Sequence, residues 1–518
     1  MDFLDELQES IIVVENHIWS NYQPEGRIHG VCASRAIETA LTVQLLKGME
    51  DCDDLSEKLI AFCVTYLNEI SEQDSTENEV YKGISKLFVS AVVSERAGVD
   101  PVNDFEQILG RFNHPSKERK HVLYSVLLAE VGLLSFEEIK LSQHCFDSPN
   151  NQSWTSLVMI AAKVIYGLNT KAFTVSDEDL NLLVDGQSED GSWDCHIFAG
   201  LIILIALKKT GQFSSAIEKG LTFVKAQIRP DGGVPFIPDV DCWITALSGI
   251  VFSRRNQPKH SDAMADYIRK IQLEDGGWGF RKGLSASDTD DTSLCVLFLQ
   301  LSAAEKSQQA LSKGLKVLLD SQNTDGGFTT YVRGAPSEVE VTAHVIMSLS
   351  AEQRKHDSII ESACKWLATA QGADGSFRSE WVDTNLYSVS QVLFAINTLS
   401  NRNSLINEMA ARGGQFLLKQ QNIDGGWGNF HGAQSTALST SYALIGLLSF
   451  DRIPAAEAVA RGMRFLLTQQ SENVAFRSAP DALGPRPLVY DIKLFAAIYG
   501  LWALYELEAK WDQLPKIK

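Results

Sequence analysis

Residues 288–291 read Asp-Thr-Asp-Asp, three carboxylates within four positions. They follow a glycine-rich stretch, Asp-Gly-Gly-Trp-Gly-Phe at 275–280, and precede an apolar run at 294–301. Like charges at such short range raise one another's pKa, so one of the three can keep its proton near neutral pH and act as an acid. The same residue types are common in solvated turns and at helix N-caps. Alone, the tetrapeptide reads either way; its surroundings favour chemistry.

Those surroundings are a repeat. Gln-x-x-Asp-Gly-(Gly/Ser)-aromatic occurs at 187–193, 272–278, 322–328, 371–377 and 421–427, with a longer copy at 227–234 and a decayed one at 470–476. The aspartates fall at 190, 231, 275, 325, 374 and 424, a period of 41 to 50 residues, which is the length of a repeated supersecondary unit. Between copies, stretches such as 310–319 and 341–349 carry helical periodicity. Each unit therefore reads helix, turn, loop, helix. Glycine supplies the positive φ of the turn, aspartate bonds back to its own backbone, and the aromatic closes the turn against neighbouring helices. Two helices per repeat predict concentric inner and outer rings, an all-α fold of α/α barrels.

With 518 residues, 45% hydrophobic and 21% charged, the chain suits two or three globular domains. Its 46 basic and 65 acidic residues give a net charge of −19. That balance argues against nucleic acid and against an anionic membrane surface, and an anionic substrate would need local Arg or Lys, or a metal ion. The eight cysteines are scattered without Cys-x-x-Cys, so neither a zinc site nor a disulfide framework is indicated. The N-terminus is acidic and amphipathic, unlike a signal peptide, and the apolar run at 199–207 is too short to span a bilayer. The expectation is a cytoplasmic protein. Polar breaks at 253–261 and 148–153 suggest a domain boundary and a helix connection, respectively.

The motifs together resemble the class II terpene cyclases of the diterpene type (copalyl diphosphate synthase-like). Asp-Thr-Asp-Asp at 288–291 is similar to that family's D-x-D-D, and the Gln/Asp turns to its Q-x-x-D-G-x-W repeats. Ala-Ile-Glu-Thr-Ala at 36–40 is similar to its A-Y-D-T-A, with Glu38 in the acid's place. Residues 232–238, 326–333 and 342–345 are similar to its G-G-V-P, G-G-F and T-N-x-H-V segments, and Trp381, Leu386 and Tyr387 to its W-x-x-S-x-Y-Y. Matches run from about residue 34 to 500.

The resemblance implies two α/α-barrel domains, a γ domain over 21–255 and a β domain over 256–518 carrying the acids, with an N-terminal helix over 1–20 on the β domain and the active site between the domains. It implies that Asp290 protonates an alkene while Asp288 and Asp291 position and re-protonate it. Thr342 stands where many relatives carry an Asn that orients the acid. Trp243, Trp278, Trp381 and Tyr387 are candidates for lining a cation-stabilising cavity. Arg281, Lys282, Arg333 and Arg378 are candidates for the diphosphate, and Glu38 for a bridging Mg²⁺. His344 reads as a satisfied core histidine. The expected reaction is bicyclisation of a linear prenyl diphosphate, geranylgeranyl diphosphate favoured over farnesyl diphosphate, by a monomer or homodimer. Asp53-Asp-Leu-Ser-Glu57 mimics the D-D-x-x-D/E of diphosphate-ionising cyclases but lacks the second motif, so it reads as an exposed acidic turn. The alternatives are a cyclase of a diphosphate-free isoprenoid, a protein prenyltransferase-like toroid with zinc on Cys295 and His344, and a binding module.

Overall fold

The structure, a computed structural model, describes residues 3–50, 52–69, 79–93, 101–112, 114–146, 153–255, 260–302, 304–470, 475–476, 479–484 and 486–515. The protein is all-α, and strands among the described residues are two residues long. Contacts divide it into two compact units, one of residues 1–31, 239–483 and 491–518, the other of residues 32–238 and 484–490.

The first unit opens with α1 (Phe3–Trp19). The second unit follows as α2 (Ala36–Leu46), α3 (Asp53–Glu69), α4 (Glu79–Val93), α5 (Pro101–Gly110), α6 (Lys117–Glu130), α7 (Ser153–Thr170), α8 (Asp177–Asp185), α9 (Ile197–Thr210) and α10 (Ser214–Ala226). In it, α2 packs on α4 and α9, and α9 on α7, while α3, α8 and α10 lie against α2, α7 and α9. Strands β1 (Ser34–Arg35) and β2 (Val234–Pro235) pair antiparallel beside α2.

The chain then re-enters the first unit with α11 (Asp241–Phe252), α12 (Ser261–Lys270), α13 (Thr289–Ser302), α14 (Gln308–Asp320), α15 (Val339–Ser350), α16 (Gln353–Ala370), α17 (Asn385–Asn397), α18 (Ser404–Lys419), α19 (Ala437–Leu448), α20 (Ala456–Thr468) and α21 (Phe495–Ala509). The odd-numbered helices from α11 to α21 pack each on the next, and α21 returns to α11, closing an inner ring. Helices α12, α14, α16, α18 and α20 lie outside it, and α1 packs on α21 and α20. Inner helices α11, α19 and α21 are buried almost along their whole length, so their sequences are apolar all round, whereas outer helices such as α12 and α20 are amphipathic.

The sequence break at 253–261 suggested a boundary near residue 255, but the units divide at Pro238 and Asp239. Ile28 N–H donates to Thr245 Oγ1 at 2.9 Å, and α11 packs on α13, so residues 21–31 and 239–255 belong with the C-terminal repeats. The described ends of this break, 253–255 and 260–261, follow inner helix α11 and lead into outer helix α12 of the same ring. Residues 148–152, 256–259 and 471–474 of the polar breaks and decayed repeat lie outside the described residues.

The repeats explain the ring. Gly276 has φ +98°, the left-handed region glycine tolerates. Asp275 Oδ1 accepts the Gly277 N–H at 3.0 Å, and Gln272 Nε2 donates to Gly276 O at 2.7 Å and to Ala310 O of α14 at 2.9 Å. Gln322, Gln371 and Gln421 likewise reach Ile359, Met409 and Ala458 on α16, α18 and α20. Each glutamine therefore ties its turn to the next outer helix. Trp278 Nε1 donates back to Ile268 O of α12 at 2.7 Å, and its ring faces Gly314 of α14, where a Cβ would come within 2.7 Å of it. The motif joins consecutive helix pairs ahead of α13, α15, α17 and α19.

Candidate active site

Residues 288–291 form the entry to inner helix α13. Asp288 N–H donates to Trp278 O at 2.9 Å, and Thr289 N–H to Thr330 O at 2.8 Å in the next repeat. Asp288 Oδ1 accepts the Asp291 N–H at 2.7 Å, the bond of an N-cap side chain to the third helical residue. Asp288 and Asp291 are buried. Burial pushes Asp288 up to about 7, with the Asp290 charge adding to it, and pushes Asp291 well above the carboxylate range, with Asp288 next in effect. Both shifts favour the protonated form, Asp291 more than Asp288, and they come from loss of water more than from mutual repulsion.

Asp290 turns elsewhere. Its side chain is 19% exposed, and Oδ1 lies 2.5 Å from Nδ1 of His344, itself 2% exposed. His344 Nε2 lies 3.1 Å from Gln391 Oε1 of α17. Burial alone would lower the His344 pKa, but the Asp290 charge and hydrogen bond carry it above the ordinary value. Ser348 Oγ, one turn further along α15, donates to Ser293 O at 2.7 Å and fixes the two helices in register.

The acid support expected from Thr342 is not there. Thr342 Oγ1 accepts the Phe328 N–H at 3.0 Å and donates to Glu338 O at 2.7 Å. Thr292 and Thr440 accept from Trp278 and Trp427 N–H in the same way, so Thr342 is a turn clamp of its repeat. His344, two residues on, touches Asp290.

The expected aromatics separate into two groups. Trp243 and Tyr387 join Tyr442, Phe495 and Tyr499 in one cluster, with ring centroids at 5.0 Å for Trp243–Phe495, 5.1 Å for Tyr387–Tyr442, 5.8 Å for Tyr387–Tyr499 and 4.8 Å for Tyr442–Tyr499. The Tyr387 ring also meets His344 edge-on at 6.4 Å. Trp278 is instead fully buried in its turn. Trp381 Nε1 donates to Glu338 Oε2 at 2.6 Å and its ring meets Tyr331; burial pushes the Glu338 carboxyl up to about 7.

Glu38 does not fit a magnesium ligand. It is fully buried in α2, 3.1 Å from Arg35 Nε, and its carboxyl is raised by burial, with Arg35 opposing. Nor does zinc on Cys295 and His344 fit. Cys295 Sγ meets Cys242 Sγ at 3.5 Å, and both His344 nitrogens have partners. Among the described residues, no three His, Cys, Asp or Glu side chains are placed to hold a metal ion. The basic candidates stand on loops leading to inner helices. Arg281 pairs with Asp239 at 3.3 Å and half-exposed Arg378 with Glu380 at 3.3 Å, while Lys282 and Arg333 are exposed.

Residues 239–383 match the prenyltransferase alpha-alpha toroid domain, and residues 332–509 the squalene-hopene cyclase C-terminal domain. A drimenyl diphosphate synthase of Streptantibioticus cattleyicolor is 30% identical over 505 residues, covering 93% of this chain and 91% of its own. The chain belongs to the class II terpene cyclases. A second drimenyl diphosphate synthase, from Streptomyces showdoensis, is 30% identical over 499 residues, covering 94% and 92%. Among solved structures, an ent-copalyl diphosphate synthase from Streptomyces platensis matches with a TM-score of 0.60 over 97% of this chain and 99% of its own. At 15% identity it speaks for the fold.

The cyclase is an isomerase-type enzyme. None of its described helices is long and apolar enough to cross a membrane. Sequence reasoning missed Tyr442, Phe495 and Tyr499 because they lie outside the repeat turns. The available signal was position, since each sits within six residues of an inner-helix start. In this cyclase Trp278→Ala should destabilise the fold by about 3–5 kcal/mol, the usual cost of emptying a buried Trp site. A urea unfolding curve would show it as a lower midpoint; an unchanged midpoint would mean that the turn does not depend on the ring.

Proposed function

We propose that the cyclase converts farnesyl diphosphate to a bicyclic C15 diphosphate, with Asp290 as the proton donor. The observation that carries this reading is the placement of Asp290, the one acid of its motif joined to a buried histidine and lying beside an aromatic cluster. Protonating an alkene generates a tertiary cation, which requires a strong acid and little water. His344, donating to Oδ1, holds the Asp290 carboxyl in place and stays bonded to the carboxylate that Asp290 becomes. The faces of Tyr387, Tyr442, Phe495 and Tyr499 stabilise positive charge without trapping it. Asp288 and Asp291 hold protons beside Asp290 and serve to reload it.

The diphosphate stays attached because nothing among the described residues is arranged to ionise it. Asp53 and Asp54 are exposed in the first turn of α3, the bland role their sequence suggested. Lys282 and Arg333 are the proposed diphosphate contacts, with Arg281 and Arg378 beside them on the same set of loops. Magnesium would accompany the diphosphate, and Glu38 is not assigned to it. The preference for C15 over the C20 substrate favoured by the motifs rests on the two drimenyl diphosphate synthases, similar along nearly the whole chain.

The test is turnover of farnesyl and geranylgeranyl diphosphates with Mg²⁺, followed by phosphatase and mass analysis. A bicyclic C15 alcohol, with kcat/KM for the C20 substrate at least about tenfold lower, is expected; that ratio is the ~1.4 kcal/mol scale on which pocket fit discriminates by chain length. A reversed preference overturns the chain length. Turnover of neither substrate overturns the diphosphate reading.

A further inference from the structure

We propose that Tyr442 and Asp481 form the proton acceptor that ends the cyclisation, and that the cavity beside Asp481 is the route by which the proton leaves. The proposal rests on the reading of this unit as the cyclisation site and adds what that reading lacks, a group to remove the last proton.

Tyr442 belongs to the aromatic cluster that runs from His344 through Tyr387. It differs from its neighbours in having an acid behind it, since Tyr442 Oη donates to Asp481 Oδ2 at 3.1 Å. Tyr387 and Tyr499 bond each other at 3.3 Å, an arrangement that offers a proton nowhere to go. Asp481 is buried, and its own carbonyl accepts the Asp383 N–H at 2.8 Å, which fixes the loop. On its other side it borders a cavity of about 260 Å³ lined also by Leu438, Phe476, Asp491, Lys493 and Phe495. The pair therefore joins the aromatic cluster on one side to a cavity on the other that has room for several waters and carries Asp491 and Lys493 in its otherwise largely apolar wall.

The step balances without a co-reactant. A C–H bond next to the final tertiary cation breaks, and its electron pair becomes the ring C=C. The proton goes to Tyr442 Oη as the phenolic proton passes to Asp481 Oδ2, leaving a neutral phenol and a neutral carboxylic acid. Asp481 then releases its proton to water in the cavity beside Asp491. Tyr442 touches substrate in this scheme, and Asp481 acts through it.

Burial raises Asp481 to about 8, with the Tyr442 hydrogen bond opposing and the charges of Asp383 and Asp491 adding; Lys493 lines the same cavity, and Tyr499 lies against Tyr442. An acid with its pKa raised is a good proton acceptor once ionised, and its ionised fraction grows as pH rises through that value.

The experiment measures, for wild type, Tyr442→Phe, Asp481→Asn and Asp481→Glu, both farnesyl diphosphate consumption and the ratio of alkene to water-quenched hydroxylated product. Wild-type turnover tests the underlying reading by itself. Whatever their rates of consumption, the products that Tyr442→Phe and Asp481→Asn form should show an alkene-to-alcohol ratio at least tenfold lower than wild type. Asp481→Glu should restore part of it. The wild-type ratio should rise between about pH 6 and pH 9, and that of Asp481→Asn should stay flat. Wild-type product ratios in both variants would overturn the proposal. So would a pH-independent wild-type ratio, a reading that needs neither variant to fold.

Discussion

Asp290→Asn is expected to reduce cyclisation by roughly 10³-fold or more while leaving the fold intact, within the ~10²–10⁴-fold span of a positioned general acid. The substitution is nearly isosteric and keeps an oxygen for His344 Nδ1–H. Asp290 caps nothing: the cap of α13 is Asp288, through the Asp291 N–H, and that bond survives. What disappears is the exchangeable proton in the only carboxyl of the three that pairs with His344. Asp288→Asn is the informative companion. It keeps the cap acceptor and removes a reloading proton, so its loss should be smaller, about tenfold to a hundredfold on the same scale. The pair is read from single-turnover rates, with thermal midpoints as the control on folding. If Asp290→Asn retained more than a tenth of wild-type turnover, the assignment of the acid would fail. If Asp288→Asn were the more damaging, the donor would have to be sought at the helix cap.

The motifs made the ring legible, because Gln-x-x-Asp-Gly-aromatic carries its own mechanics. Glycine fixes the turn, aspartate its first N–H, and the aromatic the two flanking helices. Even there the glutamine's reach to the following outer helix was not visible, since its partner is a backbone carbonyl 37 to 38 residues away. The motif acids stand out by density, and Trp243 and Tyr387, taken from matched segments, fall in one aromatic cluster. Thr342 was misjudged because motif position stands in for side-chain direction only where the substituted residue can do the same job. A threonine hydroxyl is short, and here it bonds Phe328 N–H and Glu338 O. His344 was discounted for the opposite reason. An apolar helix face is the usual place for an inert histidine, but that face is also where an inner ring helix meets the acid of its neighbour. Tyr442, Tyr499 and Asp481 come together from α19, α21 and the loop at 481, and only ring closure brings these distant stretches side by side. The cut at 255 erred because a polar stretch does not by itself distinguish a connection within one ring from a linker between domains, and the division falls at 238 and 239.

His344→Gln should lower kcat about tenfold to a hundredfold, the lower part of the range for groups that assist proton transfer, and should change how activity depends on pH. His344 touches Asp290 and acts through it, so it is a positioning residue. Its pKa is raised in the folded protein, and the sign follows from that. The imidazolium is fully present below the unfolded value of about 6.5, persists above it, and is lost as pH rises through the higher folded value. Stability from its pairing with Asp290 follows the same course. The wild-type activity profile should therefore fall on the alkaline side, and His344→Gln, which can donate a hydrogen bond but never carries charge, should lack that limb. The urea midpoint of the variant should lie below wild type at about pH 6, with the gap narrowing toward about pH 9 as the wild-type histidine discharges. A purely structural histidine would give a gap independent of pH and leave the alkaline limb in place. The same measurement separates the two ways His344 could help. If only orientation of the carboxyl matters, glutamine should restore most of the rate relative to His344→Ala. If the charge on His344 is what strengthens Asp290 as an acid, both variants should be slow and both pH profiles flat. The 2.5 Å approach of a buried imidazole to the partly exposed Asp290 carboxyl favours the charge, because a hydrogen bond with one ionised partner is about twice as strong as one between neutral groups.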